Sequence, residues 1–237
     1  MTMLLAALSV ALVAGQAKEK SDASYAETRA MVHQYGTCLL KTQQKRASAA
    51  ILANLDNAEL MKRYPQLIDG ACMPTAIGQV VRVSFAGDQF RYALADALIR
   101  KEFSGQTAPD LEVVGRLDHR VPTPPSRLNA KGKPLSDRAY QRALDAYLRM
   151  EAFSYLSRYG ECVVRVDPAS AHSLLVTLPE SAEEEAQFAA MSKALSTCVQ
   201  EGSTLKFNKM SLRGTVAVNY YRLAVAARQQ SAAGGAR

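Results

Sequence analysis

The chain has no tryptophan, only three histidines and only four cysteines among its 237 residues. Each shortage excludes something. No C-x-x-C, H-E-x-x-H or C-x-x-C-H motif occurs, and no Cys/His pair stands at ligand spacing. Structural zinc, zincin and c-type haem chemistry are therefore not expected, and no metal or cofactor is assigned. Phosphate-loop and dinucleotide glycine patterns are missing, as is the G-x-S-x-G elbow of a serine hydrolase. The formal net charge is +7 (29 Lys and Arg against 22 Asp and Glu). Those cations are scattered, with no run of five or six, so no nucleic acid is expected as a partner. No apolar run reaches the roughly 20 residues that a stable membrane span requires.

What the chain does contain is a motif stated twice. Tyr35-Gly36-Thr37-Cys38 returns as Tyr159-Gly160-Glu161-Cys162. A second cysteine follows each copy, 34 residues on (38 to 72) and 36 residues on (162 to 198). Phe90-Arg91-Tyr92-Ala93-Leu94 through Arg100 lines up with Leu212-Arg213-Gly214-Thr215-Val216 through Arg222. This repetition predicts a tandem duplication. Four cysteines allow three pairings, and duplicated units are expected to carry duplicated internal bridges, Cys38–Cys72 and Cys162–Cys198. Each would close a loop of about 35 residues and contribute roughly 3.5–4 kcal/mol by the chain-entropy model.

Met3 to Ala14 is apolar except for Ser9, and small residues at Gly15 and Ala17 suit signal peptidase. Residues 1–17 therefore read as a secretory signal peptide, excluded from the fold. Export to the periplasm or beyond also accounts for cysteines that pair.

The remaining pattern is helical. Ser24 with Glu27 and Ser181 with Glu184 are capping boxes that predict helix starts. Ser136-Asp137 opens a long helix through Tyr159, and Asp167-Pro168 ends it and starts the next. Phe188, Met191, Leu195, Cys198 and Val199 share one face of a further helix that Gly202 is expected to end. Asn57 to Cys72 is its counterpart, broken at Pro65. The segments 90–100 and 212–222 predict an amphipathic last helix in each half. Residues 80–85 and 204–207 alternate as short strands, which could pair across the halves. The fold class is thus mostly α: two pseudo-equivalent helical units, 24–103 and 136–230, each with one disulfide, with room for a minor short-strand component. Between them, 104–135 is a Pro-rich linker, with a brief strand at 111–114 and a polar turn at 129–133. The tail 231–237 is expected to be disordered.

With its apolar leader, tandem Y-G-x-C motifs and an Arg-led last helix in each half, the chain resembles uncharacterised exported bacterial proteins of the same two-copy arrangement. That resemblance implies a helical protein of the cell envelope and carries no activity with it. Arg91 and Arg213, at matching points of the last helices, are the candidate anion-binding residues. The competing reading is that each packs its stem and pairs with a carboxylate. The expected function is a non-enzymatic interaction or structural module whose partner is an envelope protein or anionic polymer. The alternative is an envelope hydrolase with its site between the halves, in which Asp118, His119 and His172 would converge on a nucleophile.

Overall fold

Local capping chemistry places most helix starts. Ser136 Oγ accepts from the Ala139 amide and opens α4 (Asp137–Val166). Asp167 stops α4 and caps α5 (Pro168–Val176), its carboxylate accepting from the Ser170 amide at 2.9 Å, with Pro168 at the first helical position. Ser181 likewise caps α6 (Ala182–Ala190), and α7 (Ser192–Thr197) follows. In the first half a long α1 (Ala6–Leu52) precedes α2 (Asn57–Arg63), which opens on a full Asp56/Glu59 capping box. The computed structural model describes residues 6–73, 75–76, 79–80, 87–202 and 206–234.

Several expectations need correction. The Ser24 box starts no helix, because α1 runs through it without interruption from Ala6. The break in that helix comes later, at Gln43 (φ −117°, ψ 16°), which stands 124 residues before Asp167 (167 − 43) and so at the matching point. The helix through Phe188 and Val199 is two helices, bent at Met191, a residue that the bend places fully inside the core. Gly202, with φ +75°, therefore lies in the turn beyond α7 rather than at its end. Pro65 breaks the first-half counterpart as expected, leaving α2 and two short 3-10 turns, Pro65–Leu67 and Gly70–Cys72. Strands β1 (Thr75–Ala76) and β2 (Gln79–Val80) pair with each other, not across the halves. Residues 81–86 and 203–205, where most of the two strand readings fell, lie outside the described residues.

The last helices, α3 (Gln89–Phe103) and α8 (Lys209–Gly234), are not amphipathic in place. Every residue from Phe90 to Ile99 and from Arg213 to Ala224 is buried. A helix enclosed all round is a core helix. Helix α3 packs between α1 and α8, and α8 between α3 and α4, so the two form the central pair and one continuous core surrounds them. Glycines set the spacing. A Cβ on Gly36 would meet the Ala93 carbonyl of α3, and one on Gly160 would meet the Thr215 carbonyl and the Asn219 side chain of α8. Where α3 crosses α8, a Cβ on Gly214 would strike the ring of Tyr92.

Both disulfides lie within the halves, Cys38–Cys72 and Cys162–Cys198. Next to them, Tyr35 and Tyr159 play the same part. Their hydroxyls donate to the Leu67 and Leu195 carbonyls at 2.8 and 3.1 Å. The linker is packed, not a mobile connection. Leu111 and Val114 are buried without forming a strand, and Arg165 of α4 donates to the carbonyls of Leu111, Val114 and Gly115. Its polar cluster makes the expected turn, with Asn129 accepting from the Lys131 and Lys133 amides and Gly132 at φ +71°. Beyond it, α8 continues through Ser231 to Gly234, into the stretch expected to be disordered. Among the described residues, no helix is long and apolar enough to cross a membrane.

Candidate functional site

The two matched arginines, Arg91 and Arg213, are both 4% exposed. Neither is presented at the surface, so neither can grip a polymer running over it. Each lies beside a small cavity at the α3–α8 crossing, and the two cavities are lined by corresponding residues. Around Arg213 stand Arg29, Val32, His33, Ala93, Asp96 and Gly214. Around Arg91 stand Phe153, Leu156, Ser157, Thr215, Val218 and Tyr92. Residues from α1 in the first set match residues from α4 in the second at a spacing of 124 (153 − 29, 157 − 33), and α3 residues match α8 residues at 122 (215 − 93, 218 − 96). The pairing crosses over: α8 supplies the arginine where α3 supplies Asp96, and α3 supplies it where α8 supplies Val218.

At the first cavity the arginine is fully used. Arg213 Nε donates to Asp96 Oδ1 at 2.9 Å, and Nη1 donates to Glu184 Oε1 at 3.0 Å. Its remaining protons go to the end of α5, to the Leu174, Leu175 and Thr177 carbonyls and the Thr177 hydroxyl. The last carbonyls of a helix lack internal partners and carry the negative end of its dipole, so a cation there satisfies both needs. Asp96 also takes Arg100 one turn along, and His33 Nδ1 lies 3.7 Å away. Burial by itself would raise the Asp96 pKa. The charge of Arg213, the nearby His33 ring and Arg100 outweigh it and hold the carboxyl well below its ordinary range. Glu184, 1% exposed, accepts from Arg29 Nη2 at 2.6 Å as well as from Arg213. Its other oxygen accepts from the Glu180 amide at 2.9 Å, so this residue completes only half of the predicted capping box. Arg29 also pairs with Glu180. Three cations (Arg29, Arg100, Arg213) thus meet three anions (Asp96, Glu180, Glu184).

At the second cavity the same position is undersupplied. Arg91 Nη2 donates to Asn54 Oδ1 at 2.6 Å, its guanidinium lies 4.5 Å from the centre of the Phe153 ring, and its Nε finds no partner. Arg222, the counterpart of Arg100, donates Nη2 to the Asp118 carbonyl at 2.7 Å and leaves Nη1 unpartnered. Among the described residues no carboxylate comes within ion-pair distance of either. Burial, followed by the charge of Arg91, brings the Arg222 pKa down to about 10. Arg91 is also shifted down, chiefly by burial, with the Asp88 charge opposing. Both remain cations.

The alternative site has a geometric basis too. His119 Nδ1 lies 2.9 Å from Ser157 Oγ, and Nε2 lies 2.5 Å from Glu161 Oε2, forming a serine–histidine–carboxylate chain. Ser157 is 4% exposed, however, and the cavity it lines, about 10 Å³, has room for about one water. Glu161 also accepts from the Leu117 amide and from Arg165, which together with His119 tie the linker to α4. His172 is elsewhere, contacting the Phe103 carbonyl and stacking on Tyr220. Asp118 contributes its backbone carbonyl.

Sequence reasoning found both arginines but missed Asp96, Glu184, Arg29 and Asn54. One signal was available. The aligned last helices read Asp96…Arg100 in one copy and Val218…Arg222 in the other. Among the described residues no cluster of His, Cys, Asp and Glu suits a metal ion. Comparison with family models, with curated proteins and with solved structures finds no match.

Proposed function

We propose that the chain is an exported, non-enzymatic interaction or structural module of the bacterial cell envelope, built from two copies of one helical unit. The observation that carries this reading is the pair of disulfides, each closed within its own half and each covered by a matching tyrosine. Such bridges persist in oxidising compartments. The leader at 1–17, removed on export, fits the same compartment. Buried side chains around the two arginines make a rigid frame, and exposed cations such as Lys45, Arg116, Lys133 and Arg142 supply attraction for an acidic envelope protein or an anionic polymer. Expression of the full chain in a bacterium, followed by fractionation and non-reducing peptide mapping, tests it. A mature species in the periplasm, starting near Lys18 and carrying two intra-half bridges, is the expected result. A full-length cytoplasmic product with four alkylatable thiols would sink it. Capture from an envelope extract at low and high salt then separates a specific partner from bulk charge.

The second reading, an envelope hydrolase, rests on the Ser157–His119–Glu161 chain. A fluorophosphonate probe distinguishes the two. Covalent labelling that disappears in Ser157→Ala would favour the hydrolase, and the burial of Ser157 leads us to expect no labelling.

A further inference from the structure

The cavities flanking the α3–α8 crossing differ at one matched position, and that difference has chemical content. Where Asp96 stands, its two oxygens take Arg213 Nε and Arg100 Nη1. Where Val218 stands instead, the corresponding atoms are Arg91 Nε and Arg222 Nη1. Both of those nitrogens lack a partner; Arg91 lines the cavity, and Arg222 stands one helical turn beyond Val218, which also lines it. Both side chains are more than nine-tenths buried, with 4% and 6% exposure. A buried N–H without an acceptor is costly, and a buried cation without a counter-charge more so.

The direct ion pairs on the two sides differ as well. Around Arg213, three cations meet three anions. Around Arg91, Arg120 is paired with Glu59 at 2.6 Å and Arg165 with Glu161 at 2.7 Å. Neither Arg91 nor Arg222 has an acid within ion-pair distance among the described residues, although Asp88 lines the cavity and Asp56 and Asp118 act on the pair from farther off. The cavity, about 10 Å³ and lined by Arg91, Asp88, Ser157, Thr215 and Asn219 among others, holds one particle of about a water's size, which excludes a carboxylate or phosphate and leaves a monatomic ion or a water.

We infer that the Arg91 cavity is a halide site, in which a chloride ion replaces the carboxylate that Asp96 supplies at the matching position. The ion accepts from Arg91 and Arg222 and locks the α3–α8 crossing on the side where the chain has no acid of its own. Asn219 Oδ1, an acceptor without a partner, and the Asp88 carboxyl are the groups there that would favour a water instead. This inference stands independently of where the protein resides.

Thermal melts of the full chain test it, with sodium chloride replaced stepwise by sodium gluconate at constant ionic strength and neutral pH. Gluconate is too large to enter. A saturable rise of a few degrees with chloride or bromide is expected, and Val218→Asp should melt higher in gluconate and lose the halide response. Should Val218→Asp fail to fold, Arg91→Met serves in its place and is also expected to lose the response. A bromide-soaked crystal should give an anomalous peak between Arg91 and Arg222. Identical wild-type melts in chloride and gluconate would mean that the cavity holds water only, and would overturn the inference. So would a halide response that survives in both variants.

Discussion

Arg213 and Arg91 occupy matched positions on the two central helices and have nearly the same burial, yet they are held in opposite ways. Arg213 sits among acids and ends the α5 helix, with donors going to six acceptor atoms. Its removal leaves buried Asp96 to Arg100 and buried Glu184 to Arg29, each short of one cation. Arg91 rests on a neutral amide and an aromatic face. The contrast teaches that a shared residue at a shared position does not imply a shared role. What surrounds a buried charge decides whether it holds the fold together or strains it.

The largest effect should therefore come from breaking one side only. Arg213→Met is expected to lose about 3–5 kcal/mol, the typical cost of stranding a buried charge, and Asp96→Asn a comparable amount. Arg91→Met should lose no more than about 1–1.5 kcal/mol, the worth of one hydrogen bond. Urea unfolding of the three variants reads this directly, and equal losses at the two arginines would erase the comparison.

Next come the bridges, where the halves should behave alike. Paired Cys→Ser changes at Cys38 with Cys72, or at Cys162 with Cys198, remove loops of 34 and 36 residues and should each cost roughly 3.5–4 kcal/mol. A large inequality in urea midpoints would show that one unit depends on its bridge more than the other.

Smaller changes test the helix spacing. Gly36→Ala and Gly160→Ala each place a methyl group against the backbone of α3 or α8 and should lose about 1–3 kcal/mol by overpacking. Circular dichroism during thermal melting is sufficient, and neutral outcomes would mean that the last helices can slide.

The subtlest test is pH. Because the folded Asp96 carboxyl lies below its unfolded value of about 4, the unfolded chain binds more protons in acid. The stability Asp96 contributes is complete above about pH 4–5 and is lost as pH falls toward its folded pKa. Asp88 has the opposite sign. Its folded pKa is raised, first by burial, so the stability linked to it is present at low pH and lost as pH rises through that value. Asp96→Asn should flatten the acid limb of a stability–pH profile, and Asp88→Asn should flatten the rise in stability that its own protonation produces. Profiles unchanged by either substitution would show that these carboxyls titrate as they do in the unfolded chain.

Much of this architecture was legible because it is local. Ser136, Asp167, Pro168 and Ser181 act within three residues of their own position, so their helix starts could be read off directly. Ser24 failed as a start signal because the helix already present on its N-terminal side continues through it. Periodicity suggested amphipathic α3 and α8, but both are enclosed. The polar residues Arg91, Asp96, Arg213 and Asn219 are inside, turned toward the other central helix or toward the outer helices. The prolines marked 104–135 as a linker but left open whether it is mobile or packed, and only the packing of Leu111 and its bonds with Arg165 and Glu161 show it to be held. Of the candidate site, the two arginines were visible, but their partners were not. Glu184 was read as a cap, and nothing in its neighbourhood indicated that Arg29, 155 residues away, would reach it.

By itself, the order of residues determined the helical class, most of the helix starts, and the cysteine pairing. These depend on spacings of a few residues or on a motif stated twice. The tertiary structure alone decided which arginine is neutralised, because Asp96 meets Arg213 across the contact between α3 and α8 and not along either helix. Charge compensation inside a protein acts through space at about 3 Å. No spacing along the chain encodes which side of an interface an acid will face.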